Sequence, residues 1–493
     1  MFWPSEWGAP VEATRLSPWI VNILCFRSIV TRRRVQATLP GLNGDRRTRA
    51  MFHQLLFLLV FLGLLPVVLV SPFAGVLIYY WLDYLPPDEV YSVTLIPGYL
   101  SLTIGALSFV VWLFVENKTL PRPLLVISLM GALLLWVNVT SAYALVPAAA
   151  TFEWTRTVKV IGFAILTTQM LSTRTRLEAF IWAFVLATIY FGVPSAIKVI
   201  FSGGSGGIGT GEVVVGANGS FFGDRVILSV VLSMAVPLAL HLGRHATLSP
   251  NRWQRWVKPA MLGAALSFLI SVIGTFARTG LLAGGATLLM LGIRSQRKVL
   301  GIFVVAAVAL ALFLIAPANW FERMDTIIHY QKDVSATDRI AAWQWAWEMA
   351  RHRPLVGGGF GAFVLDAGSI PGRPGWVEAH NIFFQMMGEH GFVGLGLFCA
   401  LIVAVWRSCA VVQRRVRGRE DLAWAADLGR AVQVALVAYV VGGSFVSIAT
   451  TPFLFILAAI AAGTRGLVQR ELADAVQKRP RAALPTVVEQ PVQ

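Results

Sequence analysis

The sequence predicts an all-α protein, a polytopic integral membrane bundle of about 12–13 transmembrane helices with one long structured loop on its outward side. Three observations carry that prediction. Of the 493 residues, 56% are hydrophobic and only 13% are charged, and the mean hydropathy is +0.69; a soluble chain of this length needs far more polar surface to cover its core. Apolar runs of about 20 residues recur along most of the chain, each long enough to cross a hydrocarbon layer as a helix. Lysine and arginine gather in alternate connections between those runs, as membrane topology demands. The formal charge of +16 has the same origin and points to loop sidedness rather than to nucleic acid. Cys25, Cys399 and Cys409 lack the spacing of a metal site or a disulfide framework.

Residues 1–50 form a basic extension containing TRRRV and GDRRTR, and its apolar stretch WIVNILCF is too short to span or to act as a signal peptide. Met51 offers an alternative start, with the extension then an over-extended reading frame. Residues 51–318 are read as an N-terminal transmembrane bundle, beginning either with two crossings at 51–70 and 73–85 or with one crossing kinked around Pro66 and Pro72. The spans that follow are 94–115, 123–147, 156–172, 177–200, 223–243, 256–276, 279–294 and 298–318. Residues 382–466 hold three more, at 382–406, 430–447 and 452–466, and 467–493 read as a disordered cytoplasmic tail. The arginine-rich loops, among them those with Arg174 and Arg176, Arg244 to Lys258, and Arg407 to Arg419, should face the cytoplasm. The segments 86–93, 148–155, 201–222 and 319–381 then face outward.

The last of these, 319–381, is read as a catalytic loop with its own structure. In DRIAAWQWAWEMARHRP, Ile340, Trp343, Trp347 and Ala350 fall at helical spacing, Asp338 suits a helix N-terminus, and Pro354 ends the pattern. GGGFGAF and PGRPGW read as flexible turns.

Arginines at the outward ends of spans run against the charge bias and mark candidate sites. Arg225 opens the span after GSFFGD, Arg278 lies in the turn GTFARTG, and Arg339 follows Asp338. Guanidinium forks suit phosphate and diphosphate geometry. His380, in VEAHNIFFQMM, stands at the outward N-terminal end of the span 382–406, where the helix dipole disfavours imidazolium, so the ring should stay neutral and able to accept a proton. It shares one predicted helical stripe with Phe384, Met387 and Gly391. His329 and His352 lie in the loop without a polar companion motif, and His241 and His245 fall on the cytoplasmic side.

With these residues in place, the chain resembles the O-antigen ligase and polymerase superfamily of bacterial envelope enzymes over most of residues 51–466. The resemblance rests on FARTGLLAGGATLLML, DRIAAWQWAWEMARHRPLVGGGFGAF and AHNIFFQMMGEHGFVGLGLF, and the N-terminal stretches SPFAGVLIYYWLDYLPP and GANGSFFGDRVILSVVLSMAVPL are similar to the exosortase-associated O-glycosylation ligase subgroup. It implies an inverting, metal-independent and cofactor-free glycosyltransferase of the bacterial inner membrane, its site facing the periplasm. The donor would be an undecaprenyl-diphosphate-linked glycan, and the acceptor a hydroxyl on a glycan, a lipid or a protein. The superfamily's histidine falls on His380 and its diphosphate-binding arginines on Arg278 and Arg339. Arg225 stands near where the subgroup's pattern has asparagine. Asn381, Glu389 and Trp343 are supporting candidates, with packing the plainer role for Trp343 and Glu389.

Other motifs carry less. GSGGIG, residues 204–209, opens no βαβ unit, and GGGFG lacks the G-K-[ST] of a P-loop. Asp83, Asp88 and Glu89 offer three oxygens for a metal, with no second cluster to complete its shell. A repeat-unit polymerase would use the same site logic as a ligase. A transporter or flippase should instead show mid-membrane charges and repeat symmetry; the sequence has few such charges, with Lys159 and Lys198 near span ends, and no convincing internal repeat.

Overall fold

The structure is a computed structural model that describes residues 43–87, 100–116, 124–201, 220–295, 298–315, 334–363 and 378–477. Its helices are α1 (Asn43–Val70), α2 (Pro72–Tyr84), α3 (Leu100–Val115), α4 (Leu124–Ala142), α5 (Pro147–Met170), α6 (Arg174–Phe201) and α7 (Arg225–His245), followed by α8 (Asn251–Gly274), α9 (Arg278–Ile293), α10 (Lys298–Ile315), α11 (Val334–His352), α12 (Ile382–Arg415), α13 (Ala423–Gly443) and α14 (Pro452–Gln477). No strand occurs among the described residues. Among the described residues, seven helices are long and apolar enough to cross a membrane, and the apolar segments Gln54–Val70, Leu100–Val115 and Arg278–Ile293 are shorter. The chain is a polytopic helical membrane protein.

Sequence dictates the breaks between helices as well as the helices. Between α1 and α2 the chain turns at Ser71, with Pro72 at the first helical position, where its missing N–H goes unneeded. Pro66 stays inside α1, so the kink expected around both prolines is a break at one of them. The thirteen residues of α2 rise only about 20 Å, less than a bilayer core. α5 begins at Pro147, well before the expected start at 156, and so takes Glu153 and Arg156 into its N-terminal turns.

α7, α13 and α14 are buried along most of their length and form the centre of the bundle, whereas α4 lies at its periphery. α7 packs on α8, α9 and α13, and α12 packs on α4, α11, α13 and α14. Small residues let these helices approach closely: Gly280 of α9 abuts Ser229 of α7, and Gly442 of α13 abuts Val230. One face of the bundle carries the arginine-rich connections. There Arg174 lies over Trp424 at 4.9 Å and donates to the His245 carbonyl, while Arg470 reaches the Ser172 carbonyl. The opposite face carries the N-termini of α5, α7, α9, α12 and α14, and it holds the polar site.

α12 is two helical segments joined at Gly391, whose φ of 68° and ψ of −171° break the helix. The segment PLVGGGFGAF, which contains the expected flexible turn GGGFGAF, is wedged into that break. The Gly358 and Gly359 amides donate to the Gly388 and Glu389 carbonyls at 2.8 and 2.9 Å, and the Phe392 amide donates to the Pro354 carbonyl at 2.8 Å. Carbonyls and amides freed by the kink are thereby satisfied by the loop, as burial away from water requires. Residues Gly357 to Phe363 are all buried. Two glycine-bearing motifs far apart in sequence form one interlocked unit.

Candidate active site

Where the wedge, the start of α12 and the N-termini of α5 and α7 meet, a polar cavity of about 340 Å³ opens. Its wall carries His380, Arg339 and Arg156 together with Glu153, Asp224, Glu378 and Glu389.

His380 is held by its backbone before its ring is considered. Asn381 is the N-cap of α12: its Oδ1 accepts from the Phe383 and Phe384 amides at 2.8 and 3.2 Å, and its amide nitrogen donates to the Ser444 carbonyl at 3.0 Å. The preceding residue, His380, adopts a positive φ of 45°, a region that costs a non-glycine residue about 1–2 kcal/mol. Its amide donates to Ser447 Oγ at 2.9 Å, and the Ala379 carbonyl one residue earlier accepts from Trp343 Nε1 at 2.8 Å. Trp343 also stacks on Phe384, with ring centroids 5.1 Å apart. The α13–α14 turn and α11 thus pin a strained backbone on both sides, and such strain concentrates at functional sites. His380 therefore lies outside the helix, so the stripe expected with Phe384, Met387 and Gly391 does not include it; a left-handed residue before the cap cannot continue the helical register.

The imidazole of His380 is held below its ordinary pKa, first by burial and then by the Arg339 charge, with Asp224 and Asp338 opposing. The neutral ring expected from the helix dipole is thus favoured here chiefly by desolvation and a neighbouring guanidinium. The Glu378 carboxyl is pushed up by desolvation and by Asp224, offset by the Ser447 hydroxyl and Arg156.

Glu389 sits deeper. It is 6% exposed, and its Oε1 accepts from the Gly361 amide of the wedge at 3.3 Å. Its Oε2 is buried and has no hydrogen-bond partner among the described residues. Arg156 lies with its guanidinium carbon 4.4 Å from the centre of the Phe221 ring, an arrangement that holds a cation in place while leaving its N–H edge available.

Of the residues singled out from sequence, the structure brings His380, Arg339 and Glu389 to one cavity, with Asn381 and Trp343 supporting its wall. Arg225 and Arg278 begin α7 and α9 on the same face but do not line the cavity. Arg156 and Glu153 were not singled out, although both lie at the outward end of an expected span and Arg156 satisfies the criterion that selected the other arginines. Asp224 was passed over for its neighbour Arg225; it caps α7 by accepting from the Val226 and Ile227 amides at 2.6 and 3.1 Å.

Asp83, the first of the three acids weighed as a metal site, pairs with Lys159 at 3.1 Å, while Asp88 and Glu89 fall outside the described residues. Among the described residues the one convergence of three potential ligands is His241, His245 and Asp427, on the opposite face. There Asp427 bonds His241 Nδ1 at 2.9 Å and also accepts from Arg244 and Arg430, so its oxygens already join the end of α7 to the start of α13. A larger apolar groove of about 1100 Å³ between α1, α2 and α6 carries no titratable side chain and offers no chemistry.

Residues 52–247 match a family described as of unknown function (DUF5935), and residues 262–399 match the family described as O-antigen ligase. No curated protein matches the chain. The cavity is assembled from both matched segments: Glu153, Arg156 and Asp224 come from the first, Arg339, His380 and Glu389 from the second. The match at residues 262–399, in a bundle of apolar helices, makes that segment similar to the O-antigen ligase family and supports the O-antigen ligase superfamily for it.

Proposed function

We propose that this chain is an inverting glycosyltransferase that moves a glycan from an undecaprenyl-diphosphate carrier to an acceptor hydroxyl at the periplasmic face of the bacterial inner membrane. The observation that supports it best is the meeting of a neutral imidazole with guanidinium groups at one cavity on the face opposite the basic loops. Arg339 and Arg156 grip the diphosphate and stabilise the charge that develops on it as the anomeric C–O bond breaks. A ring nitrogen of His380 takes the proton of the acceptor hydroxyl while its oxygen forms the new bond at the anomeric carbon from the opposite side. One displacement inverts the centre and needs no covalent intermediate. Guanidinium charge at the leaving group makes the reaction metal-independent. Arg225 and Arg278 act from outside the wall, adding positive potential at the rim.

The test is transfer of a lipid-linked glycan by purified protein in nanodiscs. Loss of a general base costs about 10²–10⁴-fold, so His380→Ala should fall by that much with unchanged membrane insertion, and Arg339→Ala and Arg156→Ala should fall further than Arg278→Ala or Arg225→Ala. Transfer at the wild-type rate by His380→Ala removes the imidazole from the mechanism. In cells lacking the protein, build-up of complete lipid-linked polymer identifies a ligase, and build-up of single repeat units identifies a polymerase.

A further inference from the structure

The cavity has more acid than diphosphate binding needs. Beside two arginines it carries four carboxyl groups. Asp224 is occupied as a helix cap and Glu378 lies beside Ser447 and Arg156, but Glu389 and Glu153 are unaccounted for. They are near enough for the charge of Glu153 to act on Glu389. Two carboxyl groups lining one cavity beside a phosphate site offer oxygens and a shared proton that a polar ligand can use.

The surroundings say what kind of ligand. Glu389 Oε2 is a buried oxygen with no hydrogen-bond partner among the described residues, in a side chain on the wall of the cavity, and such an atom costs about 1–3 kcal/mol unless something binds it. Phe360 and Phe363 of the wedge line the same cavity, as does Gln385, one turn before Glu389, whose Oε1 accepts from the Ala449 amide at 3.2 Å. Carboxylates, an amide and aromatic faces together are the chemistry of a sugar ring, whose hydroxyls donate to oxygens and whose C–H faces lie on rings. Among the described residues, no three of these carboxyl groups converge closely enough to hold a metal ion. A volume of about 340 Å³ is at the small end of ligand pockets, so only the terminal part of a glycan enters.

Resting on the glycosyl-transfer reading above, we infer that Glu389 and Glu153 form a saccharide subsite of this cavity, binding ring hydroxyls through their carboxyl oxygens. The wedge sets its geometry, since the Gly361 amide fixes one oxygen of Glu389 and leaves the other for the sugar. Two sources share this chemistry, the sugar bonded to the diphosphate and the sugar offering the acceptor hydroxyl.

The experiment uses the full chain in nanodiscs free of glycosidic detergent, with binding of methyl glucoside, methyl galactoside and methyl glucosaminide followed by saturation-transfer NMR, and inorganic pyrophosphate titrated in parallel. Glu389→Gln keeps an oxygen for the Gly361 amide and replaces the other oxygen by an amide donor; Glu153→Gln exchanges one carboxyl oxygen for a donor. Each should weaken the neutral glycosides by about fivefold, the worth of one hydrogen bond, and leave pyrophosphate binding unchanged. If Glu389→Gln does not fold, Glu153→Gln decides alone. Neutral glycosides that bind both variants like the wild type, or a wild type that takes only the amine, overturn the subsite. Pyrophosphate binding without any saccharide binding sinks the subsite and spares the diphosphate reading; saccharide binding without pyrophosphate does the reverse. Glucose 1-phosphate that displaces both probes assigns the subsite to the donor, and methyl glucoside and pyrophosphate bound together without competition assign it to the acceptor.

Discussion

A histidine with a backbone φ of 45°, next to an asparagine that caps a helix, turns the pair H-N into a device: the cap ends the left-handed turn and the turn aims the ring. The charge state of that ring follows from its neighbours. Burial and Arg339 lower its pKa and Asp224 raises it, so the neutral base is present at pH 7 and is lost only as pH falls through a value below the ordinary 6.5. For kcat/KM, which reports the free enzyme, the acid limb should therefore lie below pH 6.5. Arg339→Gln removes a charge that disfavours imidazolium and should move that limb to higher pH, whatever it does to the plateau. Asp224→Asn keeps a capping side chain, removes the opposing charge, and should move the limb lower. Superimposable limbs in all three proteins would show that some other group titrates. His380 and Arg339 were legible because each violated an expectation, a titratable group where an apolar span begins. Arg156 violated the same expectation in TFEWTRT and was hidden by a span boundary set at 156, when the helix begins at Pro147.

Helices were the most legible elements because a chain in lipid must satisfy its backbone internally and long apolar runs leave one solution. The amphipathic segment before Pro354 likewise appears as α11, starting one turn earlier than Asp338 suggested. What the pattern concealed was the break in α12. Apolar periodicity runs straight through EHGFVG, and nothing local marks Gly391 as anything but a small residue in a membrane helix. Its meaning depends on PLVGGGFG, some thirty residues upstream, whose glycines composition alone reads as part of a flexible turn, GGGFGAF. Both segments need glycine for a steric reason: Gly391 and Gly357 have positive φ, a Cβ on Gly391 would strike the Leu355 and Pro354 carbonyl oxygens, and one on Gly357 would lie 2.7 Å from the Gly388 carbonyl oxygen. Gly391→Ala pays for a left-handed alanine, about 1–2 kcal/mol, and expels the wedge as well. Its temperature of half-aggregation in nanodiscs should drop by several degrees, and transfer should fall with it because Gly361 no longer fixes Glu389. Gly396→Ala, in the same helix with open space around its missing Cβ, is the control and should leave both unchanged. A Gly391→Ala protein as stable and active as that control would mean that the loop and the broken helix are not coupled.

Across the whole molecule, charge and chemistry separate by face. The arginines of the α5–α6, α7–α8 and α12–α13 connections gather at one end of the bundle, where Arg174, Arg470, Arg244 and Arg430 find carbonyls or Asp427, and the cavity opens at the other. On the proposed reading, positive-inside asymmetry would put the basic end in the cytoplasm and the cavity in the periplasm. The same separation is what a lipid-diphosphate reaction requires, since a diphosphate headgroup resides at the bilayer surface and its isoprenoid tail within the hydrocarbon. Orientation is measurable without any knowledge of the glycan. In a version with Cys25, Cys399 and Cys409 replaced by serine, one cysteine is introduced as His380→Cys at the cavity or as Arg417→Cys in the basic connection. A maleimide too polar to cross the inner membrane should label position 380 in intact spheroplasts and position 417 only after the membrane is opened. The half-buried position 380 should react more slowly than an exposed loop site, and an excess of inorganic pyrophosphate should slow it further if the cavity takes the diphosphate. Labelling of 417 but not 380 in intact spheroplasts would turn the molecule over, put the cavity on the side where nucleotide-activated sugars are available, and remove the reason for a lipid-linked donor.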